Sequence, residues 1–165
     1  MLLLINFISF FLDGILSLFM GKDSIFLPLF TVLSLIEVYP LLKNKRKLIT
    51  IGIIMGVLYD VVYTQTLFMN TIIFFLISLT IIEVFKLLSY NSFNSLLLSI
   101  LLIILYRTLS YAFFFILNDV QLNLGLFFKS IYSSLLLNII YSVLFNFVYF
   151  KLKVQDRKPD KYIHK

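Results

Sequence analysis

The sequence predicts an all-α integral membrane protein with six transmembrane helices, and three observations lead there. Of 165 residues, 61% are hydrophobic and 13% charged, and the mean hydropathy is +1.04. A soluble domain of this size has too little interior to hide so much apolar surface, so the solvent is lipid. Charge and turn residues cluster at five points, which cut the chain into six apolar segments near the ~20 residues that a bilayer demands.

Taken in order, the expected spans are 2–20, 24–42, 48–64, 67–88, 93–117 and 124–150. The first begins apolar from Leu2, with no Lys or Arg before Lys22 and with Asp13 in its middle. A cleavable signal peptide has a basic start and a clean apolar centre, so this segment reads as a retained span. "GKDS" (21–24) separates it from the second, which carries Pro28 in its first turn and Pro40 near its end. A missing N–H is harmless at the first position, and at the second it stops the helix. "KNKRK" (43–47), the tight "TQT" (64–66), "KLLSYNS" (86–92) and "NDVQLN" (118–123) supply the other breaks. Tyr39, Tyr63, Tyr90 and Tyr149 fall near span ends, as residues of an interfacial belt do.

Orientation follows from the bases. If the amino terminus is inside, the cytoplasmic side collects Lys43, Lys45, Arg46, Lys47, Lys86 and the six bases of the tail 151–165, while Lys22 and Lys129 fall outside. That asymmetry puts both termini in the cytoplasm of a multi-pass protein, with a six-helix domain over 1–150 and a basic tail over 151–165. The same bases can touch anionic lipid, and they form no folded basic face that would take nucleic acid. Cysteine is absent, which removes disulfides, thiolate metal sites and a cysteine nucleophile. His164, the single histidine, has no companion ligands for a metal. No cofactor is expected.

Charges inside the spans carry more information. A charge near the middle of a lone helix costs about 2.5–3.5 kcal/mol on insertion scales, so such groups turn inward and find partners. From the ~1.5 Å rise per residue, Asp13, Asp60 and Arg107 lie roughly 16, 18 and 21 Å from the cytoplasmic ends of their spans. Three charges of mixed sign in one layer predict that Arg107 pairs with Asp60, Asp13 or both, pinning the register of the bundle. Glu37, Glu83 and Lys86 lie shallower and read as interfacial anchors.

Ridges of small and polar residues accompany these charges. Gly52, Gly56, Asp60 and Thr64 recur every fourth residue, and Ser130, Ser134, Asn138, Ser142 and Asn146 repeat the device in the sixth span. Asn6, Ser9, Asp13 and Ser17 share a face of the first. Such ridges serve helix packing or the reception of a partner's helix. Gly52, Gly56, Tyr59, Asp60, Asn70, Ser134, Asn138 and Ser142 are the candidate packing or partner-binding residues, and Lys43, Lys45, Arg46 and Lys47 the candidate cytoplasmic contacts.

The stretch "GIIMGVLYDVVYTQTLFMNTIIFFLISLTII" (52–82) resembles the rod shape-determining protein MreD family, above all its members from low-GC Gram-positive bacteria. Gly52, Gly56, Tyr59, Asp60, Tyr63, Thr64, Leu67 and Asn70 fall in step with that family's pattern. Phe68 departs from it, standing where members often have glycine. The resemblance implies a non-enzymatic scaffold of the bacterial cell-elongation machinery in the cytoplasmic membrane. Such a subunit binds the bitopic protein MreC and, through it, meets MreB, RodA and a penicillin-binding protein in lateral peptidoglycan synthesis. It also implies a fold like that of the substrate-binding subunits of energy-coupling-factor transporters.

Two other classes compete. A vitamin-type transporter subunit docks its coupling partner through closely spaced alanines, and this chain has one, Ala112. No small-molecule substrate is therefore expected. An intramembrane enzyme needs clustered ligands or a base beside a nucleophile, and only Asp13 and Asp60 could attempt acid–base work.

Overall fold

The structure, a computed structural model, describes residues 2–20, 28–42, 44–66, 68–117 and 123–155. Among these the secondary structure is entirely helical: α1 (Leu2–Met20), α2 (Phe30–Val38) with a 3₁₀ turn (Tyr39–Leu41), α3 (Lys47–Tyr59) with a π-helical turn (Asp60–Thr64), α4 (Met69–Leu87), α5 (Ser92–Ile116) and α6 (Leu124–Gln155). Lys22, Lys43 and most of the basic tail lie outside the described residues.

Four segments are long and apolar enough to cross a membrane: Lys47–Thr64, Met69–Leu87, Ser92–Ile116 and Phe127–Phe147. Leu4–Phe19 and Phe30–Leu41 are apolar but shorter. The second expected span therefore starts late. Pro28 and Leu29 precede the helix as non-helical backbone, and Pro40 falls in the 3₁₀ turn that closes it. Twelve residues at ~1.5 Å each reach about 18 Å, short of the ~30 Å hydrocarbon layer.

What α2 lacks in length it gains in enclosure. Every residue from Phe30 to Val38 is buried, and α2 touches each of the other five helices. Irregular backbone at membrane depth is tolerated where protein surrounds it, which is the case at buried Pro28 and Leu29. Around this axis α1 packs on α2, α3 on α4 and α5 on α6 as the three closest pairs. Late residues of one helix meet early residues of the next and earlier ones meet later ones, which makes the pairs antiparallel, as in Gly56 with Thr71 and Gly52 with Ser78, or Asp13 with Thr31 and Asn6 with Ser34.

The glycines of α3 set the closest approach. A Cβ at Gly56 would stand 2.6 Å from the Thr71 Cα and 2.8 Å from the Asn70 carbonyl oxygen. At Gly52 it would meet Ser78 Oγ at 2.1 Å and the Phe74 carbonyl oxygen at 3.0 Å. The α3 ridge is thus filled by α4 of the same chain.

Candidate functional site: two buried carboxylates and an arginine

Both aspartates that the sequence places in mid-membrane do the same job, and it is not ion pairing. Asp13 of α1 accepts the backbone N–H groups of Phe30 (2.8 Å) and Thr31 (2.9 Å), and the Thr31 hydroxyl at 2.6 Å. Asp60 of the π turn accepts the backbone N–H groups of Asn70 (2.9 Å) and Thr71 (2.9 Å), and the Thr71 hydroxyl at 2.8 Å. In each case a carboxylate from one helix caps the next, taking two successive amides and one threonine hydroxyl.

The physical reason is the orphan amides that every helix start leaves unpaired, which hydrocarbon makes costly. An anion there also meets the positive end of the helix dipole. Such caps come from a helix's own N-cap residue in most proteins. Here Leu29 and Phe68 hold those positions and offer no side-chain acceptor, so the acceptor comes from the preceding helix.

Other polar groups close the shell. Asn138 Oδ1 accepts the Leu29 N–H at 2.7 Å, so α6 contributes to the start of α2. Tyr59 OH donates to Asp13 at 3.3 Å. Thr66 Oγ1 donates to Asp60 at 2.7 Å, as does Asn70 Nδ2 at 3.0 Å. Tyr106 OH donates to Asn70 Oδ1 at 2.8 Å, which ties α5 to the Asp60 cap. Asn6 takes Ser34 Oγ at 2.8 Å, Ser9 bonds the Tyr141 hydroxyl at 2.8 Å, and Tyr141 stacks on Phe30 at 4.4 Å.

Arg107 corrects the pairing expectation. Among the described residues the only ion pair within 4.0 Å is the exposed Lys86–Glu83 pair at 2.6 Å. Arg107 instead donates from Nη2 to Ser134 Oγ, which in turn donates to the Ser130 carbonyl at 2.8 Å. Depth counting placed the three charges in one expected layer, which suggested attraction. It could not see that both carboxylates were already taken by backbone amides, to which they lie closer in the chain.

The ridge residues fall inside the chain. Gly52 and Gly56 face α4, Tyr59 and Asn70 serve the caps, and Ser134 holds Arg107. Ser142 donates to Ser99 Oγ at 3.0 Å, and Asn146 Nδ2 reaches Ser95 Oγ at 3.3 Å, both across to α5. Glu37, expected at the interface, is 1% exposed and accepts the Tyr90 hydroxyl at 3.0 Å. Tyr39 is buried as well, beside Phe85 at 4.9 Å. Of the basic loop, Lys45 donates to the Tyr39 carbonyl at 2.7 Å and sits 4.3 Å from that ring's centre, while Arg46 and Lys47 are exposed.

Sequence reading missed the threonines. Thr31 and Thr71 each stand in the first turn of a helix, and a β-hydroxyl at that place is the signal that a cap lies nearby. Tyr106, Tyr141 and Ser34 carried no signal separable from an ordinary apolar helix.

A helical bundle with four clear spans among the described residues, a polar interior and an apolar exterior defines a multi-pass membrane protein most of whose buried polar groups serve its own architecture. The family model for rod shape-determining protein MreD matches residues 1–154, and the chain belongs to that family. Its role is accordingly in rod-shape determination, as a shape-determining structural membrane protein. No curated protein and no solved structure matched the chain.

Proposed function

We propose that this chain is a non-enzymatic scaffold of the bacterial cell-elongation complex that receives the single membrane span of an MreC-type partner. With that partner it links the cytoplasmic MreB filament to RodA and a penicillin-binding protein. Both termini and the 43–47 loop face the cytoplasm in this reading, as the distribution of bases requires.

What supports the reading beyond family membership is that most of the polar interior is taken up by the fold, while broad apolar faces lie outward on α1 and α6. We place the partner on α6, which unlike α1 is long enough to span the bilayer. Of the window Phe127–Phe147, 28% is buried, against 44% for Met69–Leu87. Tyr132, Leu136, Ile140 and Leu144 are all more than half exposed on it. Helices associate in lipid through such packing surfaces, not through a hydrophobic drive.

Photo-crosslinkers at Leu136, Ile140 and Leu144 test this in cells. Capture of the MreC-type span from these sites, and not from Ile72 on α4, is the expected result. Capture at Ile72 with silence on α6 overturns the choice of face. Loss of rod shape on depletion tests the scaffold role itself, and unchanged shape with collapsed uptake of a small molecule overturns it.

A further inference from the structure

Asp13 and Asp60 are buried and Arg107 is partly so, but only the two carboxylates are matched. Each accepts at least four donors. A guanidinium has five N–H donors. Arg107 uses one toward a protein acceptor, the neutral Ser134 hydroxyl, and its buried Nε has no partner. Burying a cation without a counter-charge is costly, and such a residue in a membrane bundle marks a candidate functional site.

Space for that charge adjoins it. A cavity of about 250 Å³ is bordered by Asp13, Tyr59, Tyr63, Tyr106, Arg107 and Ser110. It lies toward the end of the bundle where α1, α3 and α5 finish, since Ser17, Thr64 and Phe114 also border it. The three tyrosine hydroxyls donate elsewhere, to Asp13, the Phe10 carbonyl and Asn70. Their rings are left as apolar wall. Ser110 Oγ stands near the Tyr106 hydroxyl without a hydrogen bond of good geometry to it or to any other group. The polar atoms without partners at this cavity are thus a cation and a hydroxyl, both able to donate. Asp13 also borders it, but its oxygens are saturated by donors from α2 and α3.

We propose that this cavity binds a single oxyanion, a carboxylate or a phosphate carried on a compact and largely apolar body, with Arg107 holding the charge and Ser110 adding a hydrogen bond. Planar donors suit both anions. The anion can come from a lipid headgroup of the adjoining leaflet or from a molecule dissolved in water. Neither the scaffold reading nor the partner's span requires this site, so it stands or falls separately.

The test is thermal unfolding of the full-length protein in mild detergent. Benzoate serves as the soluble probe with benzamide as its neutral match, and phosphatidylglycerol as the lipid probe with diacylglycerol, which lacks the phosphate, as its match. One anionic probe raises the melting temperature of the wild type while its neutral match does not, and the responding probe identifies the source. Arg107→Gln weakens binding of that probe at least about tenfold, as expected for a lost charge-assisted hydrogen bond. Ser110→Asp places a carboxylate beside Arg107, so it melts higher than wild type without ligand and ignores the probe. A wild type indifferent to both anions overturns the proposal, as does equal response to the neutral matches. Should Arg107→Gln not accumulate, a Ser110→Asp protein that melts no higher and still responds also overturns it.

Discussion

Asp60 holds Thr71 at two points: one carboxylate oxygen receives both the Thr71 backbone N–H at 2.9 Å and its hydroxyl at 2.8 Å. The grip closes the start of α4 with a residue that ends α3. Asp13 grips Thr31 in the same way across α1 and α2, at 2.9 and 2.6 Å.

Removing the Asp60 carboxylate strands two buried amides. Asp60→Ala should therefore destabilise the protein by at least about 2 kcal/mol, and Asp60→Asn, which keeps one acceptor, by less. A double-mutant cycle with Arg107→Ala separates this role from ion pairing. The two effects should add within about 0.5 kcal/mol. A coupling several times larger, read from thermal melts in detergent, would restore the ion pair.

Thr31→Val and Thr71→Val delete the same hydroxyl from equivalent grips. Each should cost between about 0.6 and 1.7 kcal/mol, the range of side-chain hydrogen bonds inside membranes. Ser110→Ala, whose hydroxyl has no such partner, serves as the control and should be near neutral.

Gly56→Ala should be the more damaging of two glycine changes in α3. Its new methyl group meets the Thr71 Cα and the Asn70 carbonyl, which move only if α4 moves. At Gly52 the nearest obstacle is the Ser78 hydroxyl, a side chain that can be removed. The expected cost at Gly56 is about 1–3 kcal/mol. Gly52→Ala should recover substantially in a Ser78→Ala background, and Gly56→Ala should not.

Phe68 has φ 59° and ψ 9°, the left-handed region, and 61% of its surface is exposed. A side chain there costs roughly 1–2 kcal/mol that glycine does not incur. Phe68→Gly should raise the melting temperature. The family resemblance implies glycine at this position, and the backbone gives a physical reason for it.

Because the chain has no cysteine, single introduced thiols map its sidedness without background. Arg46→Cys and Ser89→Cys should be labelled only from the cytoplasm, and Asn123→Cys only from outside. Labelling with the sides exchanged would reverse the proposed topology.

How legible all this was in the sequence depends on the range of the interaction. Helix positions came from local patterns of apolar residues and breaks, so α3 through α6 lie within a few residues of their expected places. Pro28, expected in the first turn of a span from residue 24, instead precedes a helix that starts at Phe30, and nothing local could reveal that the amides of Leu29, Phe30 and Thr31 are met by Asn138 and Asp13. Depth counting grouped Asp13, Asp60 and Arg107 rightly as buried or nearly so, then paired them by sign. Sign was the wrong guide, because in hydrocarbon a backbone amide competes with a guanidinium for the same carboxylate and here is tethered nearer to it. The Gly52 and Gly56 ridge was readable, while its neighbour was not: a stripe of small residues tells how close something comes, not what.

The enclosure of α2 has a bearing on how the molecule is made. This short helix leaves the ribosome well before α6, yet the amide of Leu29 just before it waits for Asn138 on α6. Until then the segment must be sheltered by the insertion machinery or by the helices already made. Release stopped after α5 should leave a chain that enters the bilayer but stays open at its centre, prey to membrane proteases, and α6 acts as the latch that closes it.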